Sequence, residues 1–295
     1  MKSYLMIALL GLVGLLGCKL ESEDQTKATD NENEIQNYFK ARGITPQKSN
    51  TGLYYVITPG TGTRSPQKYD DVAIHYVLYR MDGLKLDSTS LKLNKPDYFP
   101  FGIGYKLPGL EEGLAYMKEG DKATLLLPNY LAFGSQIFDI LPAYSVVRYE
   151  VTLVSTRTEE ERINEFIAKN KLTVDETTSS GVRIVRTLKN PTGADLKSGQ
   201  LITMNYTGSL MRDIRKLVNG QYAYDPVFGS GSLSFGLGLG TVVKGIDEAI
   251  AKLKVGEKAK LIIPAAAGYA EKGVSDAGIP PYTTLVFDVE IVSAK

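Results

Sequence analysis

The chain has no tryptophan, one cysteine and one histidine in 295 residues, and its charge is nearly balanced, 34 basic against 33 acidic. Each shortage excludes something. A single cysteine, Cys18, rules out disulfides within the chain and thiolate metal sites. Balanced charge removes any bulk electrostatic case for nucleic acid. No apolar run is long enough to span a bilayer: Leu5 to Leu16 stops well short of the ~20 residues required.

That run has another reading. Lys2 precedes it and Leu15-Leu16-Gly17-Cys18 closes it, the pattern of a secretory leader. It resembles a bacterial lipobox, with Leu16 where a smaller residue is usual. The resemblance implies cleavage after residue 17 and a lipid on Cys18. The chain is then expected in the bacterial cell envelope, anchored to a membrane (the outer one favoured) and facing the periplasm or the surface. Residues 18–34 are acidic and polar without an apolar period, and read as a flexible tether.

What the chain does have is a repeat. Ile35, Tyr38 and Phe39 match Ile163, Phe166 and Ile167; Gly52-Leu53 matches Gly181-Val182; His75-Tyr76 matches Asn205-Tyr206; and Pro108 to Leu114 matches Lys244 to Ile250. The offset grows from 128 (35 to 163) to 136 (108 to 244), mostly between Tyr206 and Lys244. The extra residues there are expected in a surface loop. Leu141-Pro142-Ala143 before the strand at Val147 repeats as Ile279-Pro280-Pro281 before the strand at Leu285.

Each unit is predicted to open with a short amphipathic helix. Asp30 or Asn31 can cap the first and Gly43 can stop it; Thr158 and Glu161 have capping-box spacing in the second. The bodies alternate as strands: Val72, Ile74, Tyr76 and Leu78, then Ile202, Met204 and Tyr206, and finally Leu285, Phe287, Val289 and Ile291 opposite Asp288 and Glu290. Such alternation implies antiparallel strands with one wet face. One helix lies inside each body, striped by Leu110, Leu114 and Met117 or by Ile246, Ile250 and Leu253. The expected fold class is α+β, with two domains, each a curved antiparallel sheet wrapped around one helix, and short spacer helices. The boundaries are leader 1–17, tether 18–34, spacer helix 35–50, domain 1 51–156, spacer helix and linker 157–179, and domain 2 180–295.

These motifs resemble the FKBP family of peptidyl-prolyl isomerases over roughly 51–156 and 180–295. The anchors are Asn205-Tyr206-Thr207-Gly208, Phe235-Gly236-Leu237-Gly238, Val242-Val243-Lys244-Gly245 and Thr284 to Glu290, with His75-Tyr76, Leu86-Asp87-Ser88, Phe101-Gly102-Ile103-Gly104 and Ala132-Phe133-Gly134 in the first copy. The resemblance implies an enzyme without cofactor or metal that acts on proline-containing or unfolded polypeptide. In domain 2 it implies catalytic positions at Tyr206, Asp225, Val243 (through its backbone N–H), Tyr269, Ile279 and Phe287, with Tyr224, Phe235, Val242 and Ile246 binding substrate. In domain 1 the counterparts are Tyr76, Leu86, Asp87, Phe99, Leu107, Leu110, Leu141 and Tyr149, with Phe133 in place of Tyr269. Both copies depart from the family. Leu110 and Ile246 replace the usual floor tryptophan, Phe133 has no hydroxyl, Leu233 stands where an aromatic is common, and Gly268-Tyr269-Ala270 replaces Ala-Tyr-Gly. Domain 2 keeps more of the pattern and is the expected catalyst of folding for exported proteins. A binding or chaperone module with little turnover is the alternative, as is a structural component of an envelope assembly.

Two other motifs read as structural. His75 adjoins Tyr76 on a strand, so period 2 turns it away from the pocket. Gly236 to Gly240 lacks both the dinucleotide fingerprint and a Gly-Lys-Ser/Thr ending, and no βαβ unit surrounds it.

Overall fold

The computed structural model describes residues 22–218 and 221–295, with the backbone alone for 213–218 and 221–224. The leader and Cys18 lie outside the described residues.

Domain 1 comprises α1 (Glu23–Ala41), β1 (Gln47–Lys48), β2 (Tyr54–Thr58), β3 (Asp71–Arg80), β4 (Lys85–Ser88), β5 (Asp97–Pro100), α2 (Pro108–Ala115), β6 (Lys122–Leu127) and β7 (Val147–Arg157). Then follow α3 (Glu159–Lys169), β8 (Glu176–Thr177), β9 (Arg183–Leu188), β10 (Leu201–Val218), β11 (Gln221–Gly236), α4 (Lys244–Ile250), β12 (Lys258–Ile263) and β13 (Leu285–Ala294). The strands form a seven-stranded sheet, β1-β2-β6-β7-β3-β4 with β5 also on β3, and a six-stranded sheet, β11-β10-β13-β12-β9-β8. All pairings are antiparallel. The architecture is the expected α+β one, twice over.

Each sheet curls around its inner helix. Leu110, Leu114 and Met117 are buried against Leu125, Leu127 and Leu153 in domain 1; Ile246, Ile250 and Leu253 are buried against Leu261, Ile263 and Ile291 in domain 2. The approach is close enough to need glycine. A Cβ on Gly113 would lie 2.4 Å from Leu125 Cδ1, and one on Gly245 would lie 2.4 Å from Ile263 Cγ2. Only a residue without a side chain lets helix and sheet meet there.

The helix carboxylates also fasten the glycine-rich loops before them. Glu111 accepts from the amides of Gly102, Gly104 and Lys106, and Asp247 from those of Gly238 and Gly240, at 2.9 to 3.2 Å. The Gly236–Gly240 loop is thus a turn held by its own helix.

The structure differs from the sequence reading in three places. The first helix starts at Glu23, with Ser22 and Gln25 forming a capping box, so 22–34 is not a tether and neither Asp30 nor Asn31 is the cap. Asn31 is buried: its side-chain carbonyl accepts the Asn129 amide at 2.7 Å, and its Nδ2 donates to the Tyr144 carbonyl at 3.0 Å. Tertiary contacts override a segment that has little amphipathic period of its own. Second, α1 packs Ile35 and Phe39 on Tyr54, Leu126 and Val146, so the far face of domain 1's sheet is not simply wet. That explains the unbroken buried run Leu125-Leu126-Leu127. Third, the extra residues after Tyr206 lengthen a β-ribbon, β10–β11, rather than a loop.

That ribbon reaches domain 1. Arg212 donates to Asp71 at 2.6 Å, Arg162 of α3 lies 3.2 Å from the same carboxylate, and both guanidinium groups sit 5.2 Å from the Tyr98 ring. Burial pushes the Asp71 carboxyl up, while the two cations pull it back. Tyr69 and Tyr282 add a ring contact of 4.7 Å across the same junction. The expected cap of α3 forms between Thr158 and Glu161, and Glu161 also binds Arg64 of domain 1 at 2.7 Å.

His75 points to the outer face. Its ring nitrogens meet Thr89 at 3.1 Å and Asn94 at 3.3 Å, pinning the loop after β4.

Candidate active site

In domain 2, period 2 aims alternate residues of β10 and β13 at the concave face. Tyr206 and Gly208 point inward from one strand; Phe287 lies opposite Gly208 on the other. The Tyr206 and Phe287 rings are 5.9 Å apart and tilted by 46°. Gly208 has no side chain, and the space is taken by the Phe228 ring: a Cβ at 208 would be 2.5 Å from Phe228 Cε2. Phe228 packs edge-on against Phe287, with centroids 5.6 Å apart at 76°.

These aromatics wall a cavity of about 910 Å³. Phe235, Val242, Val243 and Ile246 supply another side, and Tyr269, Ala277 and Ile279 the rim. None of the lining residues is charged. Two donors stand at its edge. Val243 is the N-cap of α4, and its N–H meets no acceptor among the described residues. The Tyr269 hydroxyl likewise has none, while its ring packs on the core.

The structure therefore gathers Tyr206, Phe235, Val242, Val243, Ile246, Tyr269, Ile279 and Phe287 around one hollow. It does not bring Asp225 there. β10–β11 changes register between Ser209 and Ile214, and Asp225 lies beyond that irregularity, exposed, accepting the Val227 amide at 3.0 Å. This is the turn geometry favoured by Asp-Pro. The side chain of Tyr224 falls outside the described residues. Phe228 and Met204, both lining the cavity, were not singled out from the sequence. The register change is the reason for Phe228, because counting by twos fails across a bulge. Gly208, a glycine inside a strand pattern, was the available signal, since such a glycine often marks a close approach.

Domain 1 assembles the same positions differently. Phe99, Leu110, Leu141, Tyr149 and Tyr76 are all buried in its core, with Leu86, Leu107 and Phe133 packed against them. The Tyr76 hydroxyl donates to Asp87 at 2.5 Å, a contact that Asp225 does not reproduce toward Tyr206. Tyr76 and Tyr149 are 5.5 Å apart, and burial pushes the Tyr149 hydroxyl well above the usual phenol range, with Asp87 and Asp97 adding to the shift. Lys106 lies 2.7 Å from Asp97 and 5.2 Å from the Phe99 ring, so a charge pair borders this site. Phe133 lacks a hydroxyl and is capped edge-on by Phe138 at 5.4 Å.

The family profile described as FKBP-type peptidyl-prolyl cis-trans isomerase matches residues 62–154 and 193–292. The chain belongs to the FKBP family. Both matched segments are FKBP-type domains. FK506-binding protein 1 of Kluyveromyces lactis is 40% identical over 119 residues, 40% of this chain and 97% of that protein. Rat peptidyl-prolyl cis-trans isomerase FKBP9 is 25% identical over 272 residues, 92% of this chain. This FKBP chain spans only 38% of the length of that relative. The structure of FkpA from Escherichia coli aligns with 27% identity and a TM-score of 0.39, covering 46% of this chain and 63% of that one.

Proposed function

We propose that the protein is a peptidyl-prolyl cis-trans isomerase whose working site is the domain 2 cavity. The observation that carries this reading is the uncharged aromatic hollow with the Val243 N–H and Tyr269 hydroxyl at its edge. Rotation about an X–Pro bond must cross ~18–20 kcal/mol because amide resonance is lost in the twisted state. The twisted amide has a less polar carbonyl and a pyramidal nitrogen, so an apolar, water-poor wall stabilises it relative to the hydrated planar amide. Phe287, Phe228 and Tyr206 hold the proline ring; the Val243 N–H orients the preceding carbonyl. No proton transfer is needed. Tyr206, Val243, Tyr269, Ile279 and Phe287 take the catalytic roles, with Phe235, Val242 and Ile246 binding the ring.

Domain 1 supports a different use. Ile137, Phe138 and Ile140 are exposed beside Phe133, at 77%, 46% and 49%. This apolar loop suits holding polypeptide rather than turning it over. The leader and Cys18 favour a lipid-anchored place in the bacterial envelope, where exported chains fold and slow X–Pro isomerisation limits them.

The test is isomerisation of an Ala-X-Pro peptide by the full chain, followed by magnetisation exchange. Activity that Tyr269→Phe reduces, and Phe133→Ala does not, supports the assignment. Background rates alone contradict it. Retention of the lipid label by Cys18→Ser would contradict the anchor.

A further inference from the structure

The Ile279 segment separates two hollows. On one side is the aromatic cavity; on the other is a cleft of about 620 Å³ between the domains. The cleft is built from both repeats. Lys95, Asp97 and Lys106 come from domain 1; Arg212, Lys272, Ser275 and Gly278 to Pro281 come from domain 2. Tyr98, Tyr105 and Pro280 give it flat apolar walls of the kind that accept an extended chain.

Its charge is one-sided. Four cations line it, against one lining carboxylate, Asp97, in a protein whose net charge is only +1; Lys95, like Lys106 and Arg212, also interacts with another group of the chain. Asp97 is held by Lys106 at 2.7 Å, and Asp71, behind Arg212, is shared with Arg162. Lys272 is exposed and makes no ion pair among the described residues. Clefts lined by one sign of charge concentrate ligands of the other. Ile279 lines both hollows, so an extended chain with its proline in the cavity, at ~3.3 Å per residue, would reach the cleft within a few residues.

We propose that the interdomain cleft is a subsite for the stretch flanking the target proline, and that it selects stretches carrying Asp or Glu. The inference rests on the cavity being the isomerase site. It also gives the paired domains a purpose that neither has alone, because the cations come from both.

Only one rim of the cavity meets the cleft, so the selectivity is confined to one side of the proline. The experiment uses the full chain and a peptide set sharing one X–Pro core, with two Glu, two Lys or two Ala placed before or after it. The readouts are kcat/KM by magnetisation exchange and, on the same peptides, Kd by anisotropy. On one side, Glu is expected to exceed Lys by about threefold to tenfold at low salt, fading as salt rises, and on the other side by nothing. Lys95→Glu with Lys272→Glu reverses the preference between the Glu and Lys peptides on that side. Equal behaviour of all peptides in both readouts, a preference on both sides, or a preference surviving the double variant overturns the proposal. Absence of turnover with every peptide instead refutes the isomerase reading, and the Kd comparison then decides the cleft by itself.

Discussion

Asn31 and Glu159 occupy the same place in the two repeats, 128 residues apart (31 and 159). Each reaches from a helix outside its sheet to the backbone amide after the repeated proline: Asn31 to Asn129 and Glu159 to Ala265, both at 2.7 Å. The helix is therefore part of the repeat. Glu159 also accepts the Thr284 hydroxyl at 2.5 Å. Replacing Asn31 by Ala strands the buried Asn129 amide and is expected to cost about 1–3 kcal/mol. Urea denaturation followed in domain 1 checks this; an unchanged midpoint would mean that α1 contributes nothing to that fold.

The contact between Arg212 and Asp71 makes a second expectation. Arg212→Ala leaves Asp71 with Arg162 alone and removes one cation from the Tyr98 ring. Both charges are mostly shielded from water, so the loss is expected at about 1–2 kcal/mol of domain docking. Small-angle scattering of the variant should show a larger radius of gyration, while each domain keeps its own core.

Acid should loosen the junction by a route with a definite sign. The Arg64 guanidinium, with help from the Thr158 amide, holds the Glu161 carboxyl at about 2, below its ordinary 4.5. A carboxyl depressed on folding stabilises fully above its unfolded value and loses that contribution as pH falls from about 4.5 toward about 2. Glu161→Gln removes it at every pH. The Tm gap between wild type and Glu161→Gln is therefore expected to be largest near neutral pH and to close on acidification, read by calorimetry at both ends.

The Gly208 position tests the cavity's shape. A methyl group there collides with the end of the Phe228 ring and touches Phe287. Gly208→Ala should displace the aromatic pair and lower kcat/KM several-fold, with less than about 1.5 kcal/mol lost in stability because the ring can swing away. Fluorine labels on the phenylalanines would report the displacement.

Much of this was legible from the chain. Clean alternation in β13, the Leu110 and Ile246 stripes and the doubled proline passage define two sheets around two helices. Most of the domain 2 wall followed from the same residues. What escaped has physical causes. Ser22 to Glu34 carries few apolar residues, and its helix is held by Asn31's polar contacts instead. Asp225 and Phe228 lie next to a register irregularity, where strand periodicity no longer says which way a side chain points. The bridge between domains depends on Arg212, which no local pattern distinguishes from any other arginine of the chain.

The backbone donor at the cavity mouth gives the most direct test of the central claim, that domain 2 and not domain 1 carries the activity. Val243 and its counterpart Leu107 are both N-caps, with φ of −59° and −55°. Proline fits either angle, so Val243→Pro and Leu107→Pro each delete one N–H at little cost to the backbone. The measurement is kcat/KM for an X–Pro peptide with the full chain. Losing one hydrogen bond in the twisted state predicts a fall of about tenfold for Val243→Pro and none for Leu107→Pro. Full activity in the first variant, or a collapse in the second, would contradict the account.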